Sequence, residues 1–312
     1  MQSACLVIPS CRQEQLNKLL SHITDIDADI IVCEDSDTKT FSLPESIAHY
    51  SHEEIGQDLG DKAYIIPHRN ASVRSYGYYK AWQQGAKYIV TIDDDCIPPK
   101  DFIEKHVEAL ETLTVSSAWT NTIRGGKARG VPFDNISRSV KTIVNHGLWT
   151  GNYDFDAVTQ LTHTSGVGLV QQVIERGKYY PMCGMNLAFK AEAVPMMYFL
   201  LQGRDYPYDR YDDIWAGLFT KRICDHLNLG VKSGYPFVKH TRASNVWSNL
   251  IKESTAYELN EILWQTVDDI ILKSDTITGC YRELADGISH INDYFVTLSN
   301  AMRDWVSLYE KI

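Results

Sequence analysis

What this 312-residue chain lacks narrows its chemistry before any motif is read. It has no basic surplus: 30 lysines and arginines face 40 aspartates and glutamates, a formal charge of −10. Sequence-blind nucleic-acid binding needs a basic footprint, so nucleic acid is not the expected partner. The seven cysteines, at 5, 11, 33, 96, 183, 224 and 280, include no Cys-x-x-Cys spacing and are odd in number. Such a set fits reduced thiols, not a disulfide frame or a zinc site. Long apolar runs are missing too. Residues 6–9 are too few for a signal peptide, and 194–201 too few to span a bilayer. The expectation is a cytoplasmic protein without a membrane span. Disorder is excluded as well, because 44% hydrophobic and 11% aromatic residues can build a real core. The length suits one large α/β domain or two small ones.

What is present centres on Tyr88-Ile89-Val90-Thr91-Ile92-Asp93-Asp94-Asp95-Cys96. A β-branched, aromatic run reads as a buried strand, and three consecutive carboxylates close it. Their mutual repulsion must be offset, and a divalent cation with oxygen ligands is the simplest means; a solvated acidic turn is the alternative. Upstream, residues 5–9 and 29–33 read as strands around a helix at 13–21. This β-α-β alternation implies a parallel sheet, with ligands beyond its carboxyl ends. Pro9-Ser10, the acids at 34–37 and Asp93, Asp94 and Asp95 should therefore meet on one edge. Residues 38–62 read as a polar loop without a motif. A helix is expected from Ala71 to about Gln84, capped by Asn70 and closed by Gly85, with Arg74 near its anion-attracting start.

Further along, residues 121–141 carry Arg124, Lys127, Arg129, Arg138 and Lys141 against one acid, Asp134. A basic, glycine-rich stretch in an acidic protein suits a mobile lid over a polyanion, or else an exposed loop kept soluble by its charges. His146 and Trp149, then Tyr153-Asp154-Phe155-Asp156, place aromatic faces beside carboxylates, which suits a sugar and equally suits a core or interface. Within the apolar run at 181–189, Asn186 is the one amide that needs partners if buried. Asp212 and Asp213 open a helix running through Asp225. They serve its dipole, or supply a general base or cation stabiliser. His240, ending another apolar run, is a satisfied polar residue or a third metal ligand. From about Lys252 the chain reads as helical. One apolar stripe runs through Leu259, Ile262, Leu263, Val267, Ile270 and Ile271, a second through Phe295, Leu298, Met302, Trp305 and Tyr309. They would pack on the catalytic domain or on a second subunit, leaving a homo-oligomer open.

The order Arg74, Gly77, Ala81, Gly85 and then Asp93-Asp94-Asp95 resembles nucleotide-sugar glycosyltransferases of the GT-A fold. Taken with 91–96, Arg129-Gly130, 132–133, 146–149, Tyr153-Asp154, 159–161, 181–189, 210–213, 215–217, 223–227, 229–232, His240 and 243–245, the chain closely resembles the reversibly glycosylated polypeptides, or UDP-arabinopyranose mutases. Tail residues Cys280-Tyr281, Glu283-Leu284 and Tyr294-Phe295 have counterparts too. The resemblance implies an α/β fold, GT-A-like, with a mixed Rossmann-like sheet over 1–250 and a helical extension over 251–312. It also implies a metal-dependent enzyme interconverting UDP-arabinopyranose and UDP-arabinofuranose, with reversible self-glycosylation tied to Arg129. Mn²⁺ or Mg²⁺ would sit on Asp93 and Asp95 with His240, against the diphosphate of the UDP-sugar. Pro9, Asp35, Arg74, Asp93 and Asp94 would form the nucleotide-binding set. Arg129, Arg138, Asp212 and Asp213 would be catalytic, and His146, Trp149 and Asn186 would meet the sugar. For Arg138 the spacing from Arg129 is longer than in the family and the following Glu-Gly is absent. Guanidinium keeps its proton, so Arg129 suits a diphosphate clamp better than a nucleophile. The alternative activity is an ordinary glycosyltransferase passing the sugar to a separate acceptor, with Asp212 or Asp213 as base.

Overall fold

A computed structural model describes residues 3–162, 168–241 and 245–310. The chain opens with β1 (Ala4–Ser10), α1 (Gln13–His22), β2 (Asp29–Glu34), β3 (Ile47–Tyr50) and α2 (His52–Leu59). A 3-10 turn leads to α3 (Val73–Gln83), β4 (Tyr88–Ile92), β5 (Cys96–Ile97) and α4 (Phe102–Glu111). Next come β6 (Thr114–Ser117), β7 (Ser137–Val140), β8 (Thr142–Gly151), α5 (Ala157–Thr162), β9 (Gln172–Ile174) and β10 (Asn186–Lys190). The remainder is α6 (Asp212–His226), β11 (Gly230–His240), α7 (Val246–Glu253), α8 (Tyr257–Asp269), α9 (Ile277–Ile288) and α10 (Asp293–Ser307).

Strand order in the main sheet is β3-β2-β1-β4-β10-β8-β11-β5, with β9 added on β11. Strands β1 to β4 are parallel, as βαβ crossovers require. The parallel pattern stops there. Strand β10 runs antiparallel to both β4 and β8, so the sheet is mixed. Two further departures lie in residues 38–62, which read as a loop and contain β3 and α2. The signal is local: Ser51 and Glu54 form a capping box at the start of α2, which satisfies two otherwise orphaned amides.

Alternation along the central strands sorts the core into two layers. Cys5, Val7 and Ile89 face one side with α3, α6, α9 and α10, while Leu6, Ile8 and Val90 face the other with α1 and α4. Burial is complete at Tyr76, Tyr78, Phe189, Trp215 and Trp305, so the first layer carries most of the aromatic bulk. The C-terminal helices share that layer with the sheet. Trp305 Nε1 donates to Pro195 O at 3.1 Å, and Tyr64 Oη to Asp304 Oδ2 at 2.6 Å. The α10 stripe is inside, except for Tyr309, which is partly exposed. The α8 stripe splits: Leu263 and Val267 are buried, Ile262 and Ile271 exposed. No described helix is long and apolar enough to cross a membrane.

Candidate active site

Parallel strands end on one edge, and here that edge is stitched together. Asp35 N donates to Ser10 O at 3.0 Å, and Ser10 Oγ donates to Asp94 Oδ2 at 2.6 Å. The half-buried Pro9 lies just behind. Beside this edge opens a cavity of about 1050 Å³, lined by the ends of β4, β8 and β11 and the starts of α6 and α7. Its walls carry Asp93, Asp95, Asp154, Asp156, Asp209, Asp212, Asp213 and Glu253, against Arg74, Arg210 and Lys252.

The three consecutive aspartates diverge. Asp93 accepts from Arg74 Nη2 at 2.8 Å. Asp94 points away from the cavity onto Ser10 and Arg12, whose Nε donates to it at 3.2 Å and whose Nη2 also binds it. Asp95 returns to the cavity and takes a second, 3.3 Å contact from Arg12 Nη2. His240 comes from the last residue of β11 and brings Nε2 to 3.8 Å from Asp95 Oδ1, while Nδ1 bonds Asn152 O. Asp93, Asp95 and His240 all border this acid-walled cavity, and carboxylate oxygens with an imidazole nitrogen are donor types that suit a divalent cation. An anionic ligand in this cavity has few other sources of positive charge.

Arg74 is almost fully buried and ties this group to the next. Its Nη1 donates to Gly184 O at 2.6 Å, and it lies over the Phe199 ring at 5.1 Å. The N–H of Gly184 in turn donates to Asp213 Oδ2 at 3.0 Å. Gly184 has no room for a side chain, since a Cβ would lie 2.5 Å from Arg74 Nη1. Asp213 Oδ1 accepts from Ile214 N–H and Asp212 Oδ1 from Asp213 N–H. Neither acid has a cation within ion-pairing distance among the described residues. Burial, and for Asp213 repulsion from Asp212, push both carboxyls well above the ordinary aspartate range.

His146 and Trp149 also line the cavity. The His146 imidazole is buried and used on both nitrogens, with Ser233 Oγ at 2.9 Å and Cys183 N–H at 3.2 Å. Desolvation lowers its pKa to about 3, keeping it neutral. Trp149 Nε1 is buried with no partner among the described residues, a donor facing unmet demand. Asn186 is not in the lining. Its amide donates to Leu148 O and Pro236 O and accepts from His106, joining three strands from beneath. Arg129 and Arg138 are exposed and outside the cavity. Arg129 sits on the loop between β6 and β7, and Arg138 in β7 faces a separate hollow with Glu175 and Arg176. Asp35 is also outside the lining, bonded to His52 Nε2 and Arg69 N–H. Of the residues matched near His240, Ala243 and Ser244 lie outside the described residues.

Two arginines at the site escape a reading of the residues alone. Arg12 is an ordinary-looking residue whose partners lie 82 positions away. Arg210 adopts φ +69, a left-handed conformation costly for a side chain, and pairs with Glu253 at 2.9 Å and Asp154 at 3.6 Å. Such strain leaves no mark in a sequence, although Arg210 does stand two residues before the acidic pair.

Comparison with known proteins adds a family. The family profile described as "Reversibly glycosylated polypeptide" matches residues 6–312. "UDP-arabinopyranose mutase 1" of Oryza sativa subsp. japonica is 38% identical over 316 residues, covering 91% of this chain and 84% of its own. The Arabidopsis thaliana protein of the same name is 39% identical over 317 residues, covering 91% and 85%. "Probable UDP-arabinopyranose mutase 4" of Arabidopsis thaliana is 35% identical over 339 residues, covering 98% and 90%.

Proposed function

The chain belongs to the reversibly glycosylated polypeptide family, and from that premise we propose that it is a UDP-sugar mutase interconverting UDP-arabinopyranose and UDP-arabinofuranose. The observation that carries this reading is one cavity lined both by Asp93, Asp95 and His240 and by the buried Asp212–Asp213 pair, whose proton affinity burial raises. The uridine would lie along the strand-end edge by Pro9 and Asp35, with the diphosphate reaching Asp93 and Asp95. Those two aspartates and His240 would hold Mn²⁺ or Mg²⁺, which supplies Lewis-acid neutralisation of the diphosphate when bound.

The reaction breaks the sugar–phosphate bond, exchanges a six-membered for a five-membered ring, and remakes the bond to the same phosphate. Protons must therefore move between sugar oxygens inside the cavity. Asp212 is suited to moving them, because its Oδ1 is taken by a backbone amide and its Oδ2 is left to carry the proton. Trp149 Nε1 would donate to a sugar oxygen, and the neutral His146 holds the wall behind it. Arg74 would steady the anion from the Asp93 side. Arg129 would reach the diphosphate only if its loop folds over the opening. Gly125 and Gly130, both at positive φ, allow that rearrangement, and closure would exclude the water that intercepts a freed sugar. The free state of all seven cysteines supports a cytoplasmic setting.

Asp212 and Asp213 also favour a second reading, transfer of the sugar to a separate acceptor, because a carboxylate with raised proton affinity can activate a hydroxyl. Incubation of the purified protein with UDP-arabinopyranose and Mn²⁺ separates the two. The mutase forms UDP-arabinofuranose with no acceptor, and EDTA stops it; slow release of UDP alone means transfer. In the same assay Arg129→Lys keeps the charge and removes the fork, so near-normal turnover would refute bidentate clamping by Arg129.

A further inference from the structure

We infer a second metal site, selective for a borderline transition ion such as Zn²⁺, formed by Asp35, His52 and His68 outside the acid-walled cavity. Ligand-capable atoms of these three side chains all lie within 4.8 Å of one another, the one such His/Cys/Asp/Glu group among the described residues. None of the three lines the main cavity. Nitrogen-rich donor sets of this kind suit zinc, nickel or copper, whereas the aspartates of the cavity suit oxygen-loving Mg²⁺ or Mn²⁺.

The scaffold holds the donors in place before any ion arrives. His52 is the first residue of α2, fixed by the Ser51–Glu54 capping box and by its own N–H to Ser36 O at 3.0 Å. Its Nε2 lies 2.9 Å from Asp35 Oδ1, and that oxygen also accepts from Arg69 N–H at 3.0 Å. His68 stacks on His52, ring centroids 3.6 Å apart and planes inclined by 25°. Two imidazoles bound to one tetrahedral zinc hold their nitrogens about 3.3 Å apart, from zinc–nitrogen bonds of about 2.0–2.1 Å. The ligand-capable atoms already lie within 4.8 Å of one another, so a small swing of the half-exposed His68 out of the stack brings both imidazoles onto one ion. Asp37, with a carboxylate oxygen 3.5 Å from His68 Nδ1, is at hand as a fourth oxygen donor. His68 is half exposed, which gives the ion a way in from solvent.

The test is calorimetric titration of Zn²⁺ into the untagged, nucleotide-free chain carrying Asp93→Asn, Asp95→Asn and Cys11→Ser. These changes remove the two carboxylates proposed to hold the cavity's metal and the one exposed thiol among the described residues. One Zn²⁺ should bind per chain, Mg²⁺ should not compete, and adding His68→Ala should weaken binding by ~100-fold with unaltered far-ultraviolet circular dichroism. If the triple variant does not fold, the same comparison is made between Cys11→Ser and Cys11→Ser/His68→Ala under saturating Mg²⁺, which leaves imidazoles vacant. Unchanged Zn²⁺ affinity in the His68→Ala protein, or no Zn²⁺ bound by the parent, overturns the site. The titration is run without nucleotide because Asp35 also lies beside the uridine in the proposed mutase reading, and neither result tests that reading.

Discussion

Two runs of adjacent aspartates border the same cavity and are treated in opposite ways. At 93–95 every carboxylate meets a guanidinium: Arg74 takes Asp93, and Arg12 spans Asp94 and Asp95. At 212–213 no guanidinium among the described residues comes within pairing distance, and the oxygens rest on backbone amides inside the protein. The first arrangement stores negative charge that a metal can claim; the second raises proton affinity. Acidic residues of identical type thus acquire different chemistry from what neutralises them, cations in one place and protons in the other.

Removing the charges proposed to face the metal should have the largest effect. Asp93→Asn/Asp95→Asn is expected to lower turnover by ~10³-fold or more and to make UDP affinity, measured by calorimetry, indifferent to EDTA. A double variant whose UDP binding still responds to EDTA would place the cation elsewhere and dissolve the contrast.

Next comes Asp212→Asn, with a loss of ~10²–10³-fold in kcat if this side chain moves protons. The same substitution separates the two runs thermodynamically. A carboxyl whose folded pKa is raised binds its proton more tightly in the native state. The wild type therefore loses stability as pH climbs from the unfolded value near ~4 through the raised one. The neutral amide escapes that loss. Melting temperatures should favour Asp212→Asn at pH 8 and converge with wild type at pH 4; equal gaps at both would mean that the pair is not proton-holding.

The smallest effect is expected from Arg12→Ala, which strips Asp94 of its partner. With Asp94 buried and Arg12 about one-third exposed, the cost should be about 2 kcal/mol in urea unfolding, after allowance for solvent screening. Activity should fall less than tenfold, through a loosened Asp95. Stability equal to wild type would show that Asp94 needs no cation.

The contrast also marks how much is legible in the residues alone. Both acidic runs are, as is the strand before the first, because a β-branched run that ends abruptly in charge is hard to place anywhere but at a strand end. Their compensation is not legible. Arg12 reaches Asp94 across 82 residues and Gly184 reaches Asp213 across 29, distances at which no local pattern operates. The parallel alternation of the first hundred residues likewise holds no hint that β10 enters between β4 and β8 in the opposite direction. Asn186 does need partners, as an amide in an apolar run must, and the structure supplies them from two strands, β8 and β11, and from α4. Residues 38–62 read as a loop although Ser51 and Glu54 carry a capping signature, since α2 is short and polar.

Gly184 is where both acidic runs touch a common backbone, its carbonyl serving the arginine of one and its amide the carboxylate of the other. A methyl there would collide with Arg74 Nη1 and with Phe199, 2.5 and 2.6 Å away. Position 184 is thus a diagnostic letter for the whole arrangement: any homologous chain spelling it other than glycine must have re-seated its counterpart of Arg74.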